Sequence, residues 1–138
     1  MPQRVQEVMT PDPVTVQPAS TVGEAARLMK ERDVGAVVVA DSKVRGLLTD
    51  RDIVVRAIVS GRDGEQTHVS DICSSDLQTL SPDEPVERAV EDMRRHSVRR
   101  MPVVQGNKAV GILSLGDLAM ERDERSALAD ISAAPPNR

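Results

Sequence analysis

Apolar positions along the chain change period several times, and the changes mark the elements. Val22, Ala25, Ala26 and Met29 keep the i, i+3, i+4, i+7 spacing of one buried helical face, and Thr21 with Glu24 makes the Thr-x-x-Glu pattern that opens a helix. The charged run Lys30-Glu31-Arg32-Asp33 brings that helix to the surface and ends it. Upstream, Val14-Thr15-Val16 reads as a brief strand stopped by Pro18, and Val5 to Met9 as a helical turn stopped by Thr10-Pro11-Asp12-Pro13. Downstream, Ala36 to Ala40 is a continuous apolar run too short for a helix, and Val44 to Leu48 follows it across Asp41-Ser42-Lys43. These read as paired strands buried on both faces. From Asp50 to about Val59 the spacing of Ile53, Val54, Ala57 and Ile58 is helical again, until Ser60-Gly61-Arg62-Asp63-Gly64 breaks it. The unit is β-α-β-β-α.

The whole unit recurs. Thr15 matches Thr79 and Met29 matches Met93 at a spacing of 64, while Asp52 matches Asp117 at 65, so the second hairpin has gained one residue. Pro18/Pro82, Val22/Val86, Ala25/Ala89, Val39/Val103 and Gly46/Gly111 are further identities, and Val69 to Cys73 falls on Val5 to Met9. Two small units that each leave an apolar sheet uncovered are expected to pack on one another with pseudo-twofold symmetry. The boundaries expected are 5–60 and 69–125 for the repeats, with a linker over 61–68. The segment 126–138 is then a tail, disordered toward its Pro135-Pro136 end.

Each repeat ends its last strand in the same motif, Gly46-Leu47-Leu48-Thr49-Asp50-Arg51-Asp52 and Gly111-Ile112-Leu113-Ser114-Leu115-Gly116-Asp117. An apolar strand delivers a hydroxyl, and three positions later a carboxylate, to the start of a helix. The first helical N–H groups have no partner inside the helix, so such a turn suits a sugar and its phosphates. The same residues also fit a capping box whose hydroxyl and carboxylate serve only the backbone.

Composition narrows the chemistry. The chain has 138 residues and no Phe, Tyr or Trp, so its core is aliphatic and it lacks the aromatic platforms on which unpaired bases stack. The net charge is −4 with basic residues spread along the chain, which gives no footprint for nucleic acid or an anionic membrane. All but three of the 18 basic residues are arginine, the side chain suited to bidentate phosphate contacts. The single cysteine, Cys73, excludes an internal disulfide and takes the place of Met9, as a small apolar side chain does. With no apolar stretch of membrane-spanning length and no basic leader, a cytoplasmic location is expected. His68 and His96 stand without an array at metal-ligand spacing, and no nucleophile elbow, phosphate-binding loop or dinucleotide fingerprint is present, so no catalysis is expected.

Taken together, the duplicated β-α-β-β-α unit, Met101-Pro102-Val103-Val104 and the twice-used Gly-apolar-apolar-Thr/Ser-x-x-Asp motif resemble a tandem pair of CBS domains, a Bateman module, over residues 5–120. The resemblance implies an α/β (α+β) fold of two repeats packed sheet to sheet, with clefts for adenine nucleotides or related adenosyl ligands. It places ribose hydroxyls on Asp52 and Asp117, and phosphates near Thr49 and Ser114. The base lies between Thr15-Val16 and Thr79-Leu80 and the segments Val37-Val38 and Met101-Pro102. Arg51, Arg99 and Arg100 supply phosphate charge, with Arg100 joining the ligand of Asp52, whereas Gly116 leaves Asp117 with little. AMP, ADP or ATP is the expected ligand, in a regulatory module with no required cofactor. A structural or interaction module with vestigial clefts, acting through dimerisation or docking on a partner, is the other reading. Because Ile53, Val54, Ala57 and Ile58 exceed what one thin repeat buries, an apolar patch and a homodimer are expected.

Overall fold

The computed structural model describes residues 3–73 and 77–122. The second repeat, expected to reach residue 125, is described as far as Arg122, and the tail over 126–138 lies outside the described residues altogether. The elements are α1 (Val5–Val8), β1 (Thr10–Pro11), β2 (Thr15–Val16), α2 (Val22–Arg32), β3 (Ala36–Ala40) and β4 (Val44–Thr49). Then come α3 (Asp50–Asp52, continued as a π-helix over Ile53–Ile58), α4 (Val69–Ile72), α5 (Val86–His96), β5 (Arg100–Gln105), β6 (Lys108–Ser114) and α6 (Leu115–Arg122). Mixed helices and two small sheets make the fold α+β, as the pattern predicts. Among the described residues no helix is long and apolar enough to cross a membrane.

The chain divides into two compact units, and these are offset from the sequence repeats. One unit is Val14–Leu77; the other joins the segment ending at Pro13 to the chain from Gln78 onward. Each leading segment therefore packs against the repeat it does not precede. The N–H groups of Val5 and Gln6 donate to the carbonyls of Glu84 and Pro82 at 2.8 and 3.0 Å, and Val86 N–H returns a bond to Gln3 O at 2.9 Å. The same bonds recur 64 residues on, from Val69 and Ser70 to Ser20 and Pro18 at 2.8 and 3.0 Å, with Val22 returning to Thr67 O at 2.9 Å. Val5 is fully buried in the core of Leu80, Val86, Ala89, Met93, Met101 and Leu113. Val69 and Ile72 lie in the other core, with Val16, Val22, Ala25, Met29, Val37, Val39, Leu48 and Ala57.

The expected linker also has a structural task. Gly23 N–H donates to Gly64 O at 2.9 Å, and Glu24 N–H to Thr21 Oγ1 at 3.1 Å, so residues 64–67 and the Thr21 hydroxyl together cap the first turn of α2. Arg27 holds Glu65 across this junction at 2.7 Å.

In the Val14–Leu77 unit β2 runs parallel to β3, and β3 antiparallel to β4, with Val16 beside Val39 and Ala36 beside Thr49. The central strand β3 is buried on both faces over Ala36–Val39. At the sheet edge, β4 departs from that expectation: Val44, Gly46 and Leu48 are buried but Arg45 is exposed. The other unit repeats the hairpin, β5 antiparallel to β6, but differs at both of its edges. Val38 N–H donates to Val14 O at 2.8 Å, whereas its counterpart is Pro102, which has no N–H to give. Accordingly Leu80 makes only a single parallel bridge to Val103 where the first repeat forms a two-residue strand. The leading strand β1 adds to the free edge of β6, Thr10 beside Ile112 and Pro11 beside Gly111. A Cβ on Gly111 would collide with the Met9 sulfur, so that glycine admits the approach.

The exchange of leading segments predicts where damage spreads. Val5→Ala is expected to cost about 1.5–3 kcal/mol, read in urea unfolding, for two lost methyl groups and the void they leave. Amide hydrogen exchange is expected to rise across Val86–Ala89 and to stay unchanged across Val22–Ala25, with Val69→Ala giving the converse.

Candidate functional site

The two motif turns are built alike. The strand passes to the helix through a bond from the first helical N–H, Asp50 to Gly35 O at 3.0 Å and Leu115 to Arg99 O at 2.9 Å. At the first turn, Asp52 Oδ2 accepts from Thr49 N–H at 2.9 Å while Thr49 Oγ1 accepts from Asp52 N–H at 3.2 Å. At the second, Asp117 Oδ2 accepts from Ser114 N–H at 3.0 Å and Ser114 Oγ accepts from Asp117 N–H at 3.1 Å. Both pairs are reciprocal caps, so each carboxylate has one oxygen committed to the backbone.

The second oxygens differ. Asp117 Oδ1 accepts the hydroxyl of Thr10 at 3.0 Å, which brings the leading strand β1 onto the turn, and Asp117 is 8% exposed. Asp52 Oδ1 lies 3.7 Å from Arg56 Nε, with side chains 20% and 50% exposed respectively. Arg56 also donates from Nη1 to Ile72 O, at the end of α4, at 3.2 Å. The position equivalent to Arg56 is Glu121, which accepts from the Gln3 side chain. Neither Thr10 nor Arg56 was singled out by the motif. Arg56 is visible in the sequence as the i+4 partner of Asp52, but no local signal ties Thr10 to a residue so distant in the chain.

The structure brings Thr49, Arg51 and Asp52 together at the start of α3, where Arg51 is exposed. Arg99 and Arg100 belong to the unit of Ser114 and Asp117, and Arg100 is the cross-strand partner of Ser114. Directly opposed residues share a sheet face, so this arginine is placed beside the second motif's hydroxyl. Thr15 and Thr79 are exposed, whereas Val16, Val37, Val38, Leu80, Met101 and Pro102 are buried. Those six side chains have little exposed surface.

Cys73 follows α4 and packs partly buried against the core of its unit. Burial pushes its thiol up, the charge of Asp52 acts in the same direction, and Arg56 opposes it. A protonated, half-buried thiol suits the small apolar role expected of it. His68 N–H donates to Asp71 at 3.1 Å at the start of α4, and His96 is exposed at the end of α5. Among the described residues no three His, Cys, Asp or Glu side chains gather as a metal requires.

The unequal second oxygens predict unequal stability costs. Asp117→Ala is expected to cost about 1–3 kcal/mol in thermal or urea unfolding, because it leaves two donors without a partner, and Thr10→Val about 0.5–1.5 kcal/mol. Asp52→Ala is expected to cost less than Asp117→Ala, since its second oxygen holds only a half-exposed ion pair.

The family model for the CBS domain matches residues 5–58 and 69–124. The chain is 44% identical over 133 residues to the CBS domain-containing protein YhcV of Bacillus subtilis, across 93% of this chain and 94% of that one. Of solved structures, the hexameric CBS-CP12 protein from bloom-forming cyanobacteria aligns with a TM-score of 0.79 at 30% identity, covering 88% of this chain and 72% of that one. The CBS domain pair of protein MJ0100, in complex with 5′-methylthioadenosine and S-adenosyl-L-methionine, aligns with a TM-score of 0.81 over 91% of this chain and all of its own. At 21% identity that likeness is one of fold. With both repeats matched and the same α+β plan built twice, the chain belongs to the CBS-domain family and carries two CBS domains.

Proposed function

We propose that the protein is a regulatory module that binds an adenosyl ligand, with an adenine nucleotide held at the turn of Thr49, Arg51 and Asp52. The observation that carries this reading is the state of the Asp52 carboxylate. One oxygen is spent on the cap and the other faces only a half-exposed guanidinium, so a vicinal diol can add hydrogen bonds without breaking a buried one. Arg51, next to it and exposed, is a cation of the kind that phosphates require. The ligands of the MJ0100 pair support the adenosyl class, since both carry the same nucleoside. No chemical step is part of the proposal; the module reports occupancy.

A second reading, a docking module with vestigial clefts, is favoured at the other motif. There the carboxylate of Asp117 is satisfied by Ser114 and Thr10 without a ligand. The two readings can hold together, with one turn sensing and the other serving as structure.

Calorimetric titration of ligand-stripped protein with AMP, ADP and ATP tests the proposal. Asp52→Ala is expected to weaken binding by about ten- to a hundredfold, equally for all three, because ribose is common to them. The loss on Arg51→Ala is expected to grow with the number of phosphates. Asp117→Ala is expected to cost less affinity than Asp52→Ala. Combining Arg100→Ala with each aspartate variant shows which ligand, if either, that arginine serves. Absence of binding to any adenine nucleotide by the unmutated protein removes the sensor reading in this form.

The same reading includes a homodimer. Val54, Val55, Ile58 and Val59 project from the helix after Asp52 and are 45–74% exposed, while their counterparts in the second repeat are Ala119, Met120, Asp123 and Glu124. Four neighbouring aliphatics on one helix are the kind of patch that a second copy covers. Sedimentation at micromolar concentration is expected to give a mass of two chains or a multiple, and Ile58→Asp to give one. A single-chain mass for the unmutated protein overturns it.

A further inference from the structure

We propose that Arg56 is the positioning residue that couples Asp52 to the end of α4, so that what happens at this carboxylate is felt at Ile72 and Cys73. Three observations carry it. Arg56 faces Asp52 Oδ1 at 3.7 Å and donates to Ile72 O at 3.2 Å, so one guanidinium spans from the carboxylate to the main chain of the leading segment. The helix that carries both residues departs from α geometry between them. It becomes π-helical at Ile53, with Val59 N–H reaching back five residues to Val54 O at 3.0 Å and Arg62 N–H to Ala57 O at 2.9 Å. Widened turns of this kind are frequent at functional sites. The other repeat, finally, has Glu121 where this one has Arg56, so a cation at this place belongs to one turn only.

The guanidinium has five donors in a fixed plane, which lets it hold a carboxylate and a carbonyl together. A ligand hydroxyl arriving on Asp52 Oδ1 competes for the charge that keeps Arg56 in place. The carbonyl of Ile72, at the C-terminal end of a one-turn helix, then loses or regains its donor as the site fills and empties. Cys73 is the adjacent residue, and its N–H closes that turn on Val69 O at 2.9 Å. Its thiol already registers both charges, since Asp52 raises and Arg56 lowers its proton affinity. Because coupling is reciprocal, a partner that shifts α4 changes the affinity at Asp52 by the same factor.

The regulatory sense of this coupling rests on the proposed function, but the coupling itself is testable without any nucleotide. The full chain is alkylated at Cys73 with iodoacetamide at fixed pH as the unmutated protein, Asp52→Asn, Arg56→Gln and the double variant. Asparagine keeps an oxygen for the Thr49 N–H, so the cap survives. Asp52→Asn is expected to speed alkylation by about three- to tenfold in the native background and by less than about 1.5-fold beside Arg56→Gln. Arg56→Lys keeps the charge but cannot bridge both acceptors, and it is expected to lose the coupling as Arg56→Gln does. Equal effects of Asp52→Asn in all backgrounds mean charge acting through space alone, and overturn the proposal. In the ligand arm, saturating AMP is expected to change the Cys73 rate in the unmutated protein and to leave it unchanged in Arg56→Gln protein that still binds AMP. AMP that binds without altering the rate in the unmutated protein overturns the coupling and spares the binding reading. No binding of AMP, ADP or ATP overturns the binding reading, and the ligand-free cycle then decides the coupling by itself.

Discussion

The constraint on which the structure depends is the set of N–H groups that every helix leaves without a partner at its start. Both units solve it in two ways. The helices that follow the hairpins, α3 and α6, are capped from within by a hydroxyl and a carboxylate three positions apart. The long helices α2 and α5 are capped in part from outside, by carbonyls of a leading segment, and that segment's own first N–H groups are satisfied in return by the loop before the long helix. Reciprocity makes each junction cooperative. Removing the leading segment strands donors on both sides and opens the core that Val5 or Val69 fills.

The internal caps have a chemical consequence. A carboxylate that caps its own helix is fixed in direction, with one oxygen spent and the other available to whatever the neighbouring chain supplies. At Asp117 the neighbour is the Thr10 hydroxyl, a neutral donor in a largely buried position, and the carboxylate's needs are met. At Asp52 it is a guanidinium half in water. A partly exposed ion pair stabilises weakly, so the oxygen it holds is exchangeable where a buried hydrogen bond is not. The duplicated motif thus carries two different chemical states, decided by residues outside the motif.

Much of this was legible in the sequence. The spacing of Val22, Ala25 and Met29, the apolar run from Ala36, and the repeat of both at 64 residues led directly to the elements and the family. The exchange of leading segments was not legible, for a physical reason: pseudo-symmetry makes Val5 and Val69 equally able to fill either pocket, and a pattern that matches both repeats cannot choose between them. The contact of Thr10 with Asp117 was hidden in the same way, since a hydroxyl after a helical turn carries no mark of its distant acceptor. Helical periodicity at Ile53, Val54, Ala57 and Ile58 located the helix but not its winding. Only Ala57 is fully buried, Ile53 is half-buried, and Val54 and Ile58 face outward.

That winding links the site to the surface. In the segment after Asp52, Ala57 is pressed into the core while Val54, Val55, Ile58 and Val59 stay outside, and Arg56 reaches back to Asp52 and Ile72. One short helix therefore carries the Asp52 carboxylate, the cation that ties it to α4 and an exposed aliphatic face. A rigid element cannot shift at one of these places without moving the others, because close-packed cores repack between discrete arrangements and do not deform smoothly. The second repeat has Glu121 in place of Arg56, and in sequence Asp123 and Glu124 take the places of Ile58 and Val59. Its motif carboxylate is tied to the leading strand by the neutral Thr10 hydroxyl instead, so among the described residues the charged link from motif carboxylate to leading segment is particular to the helix that follows Asp52.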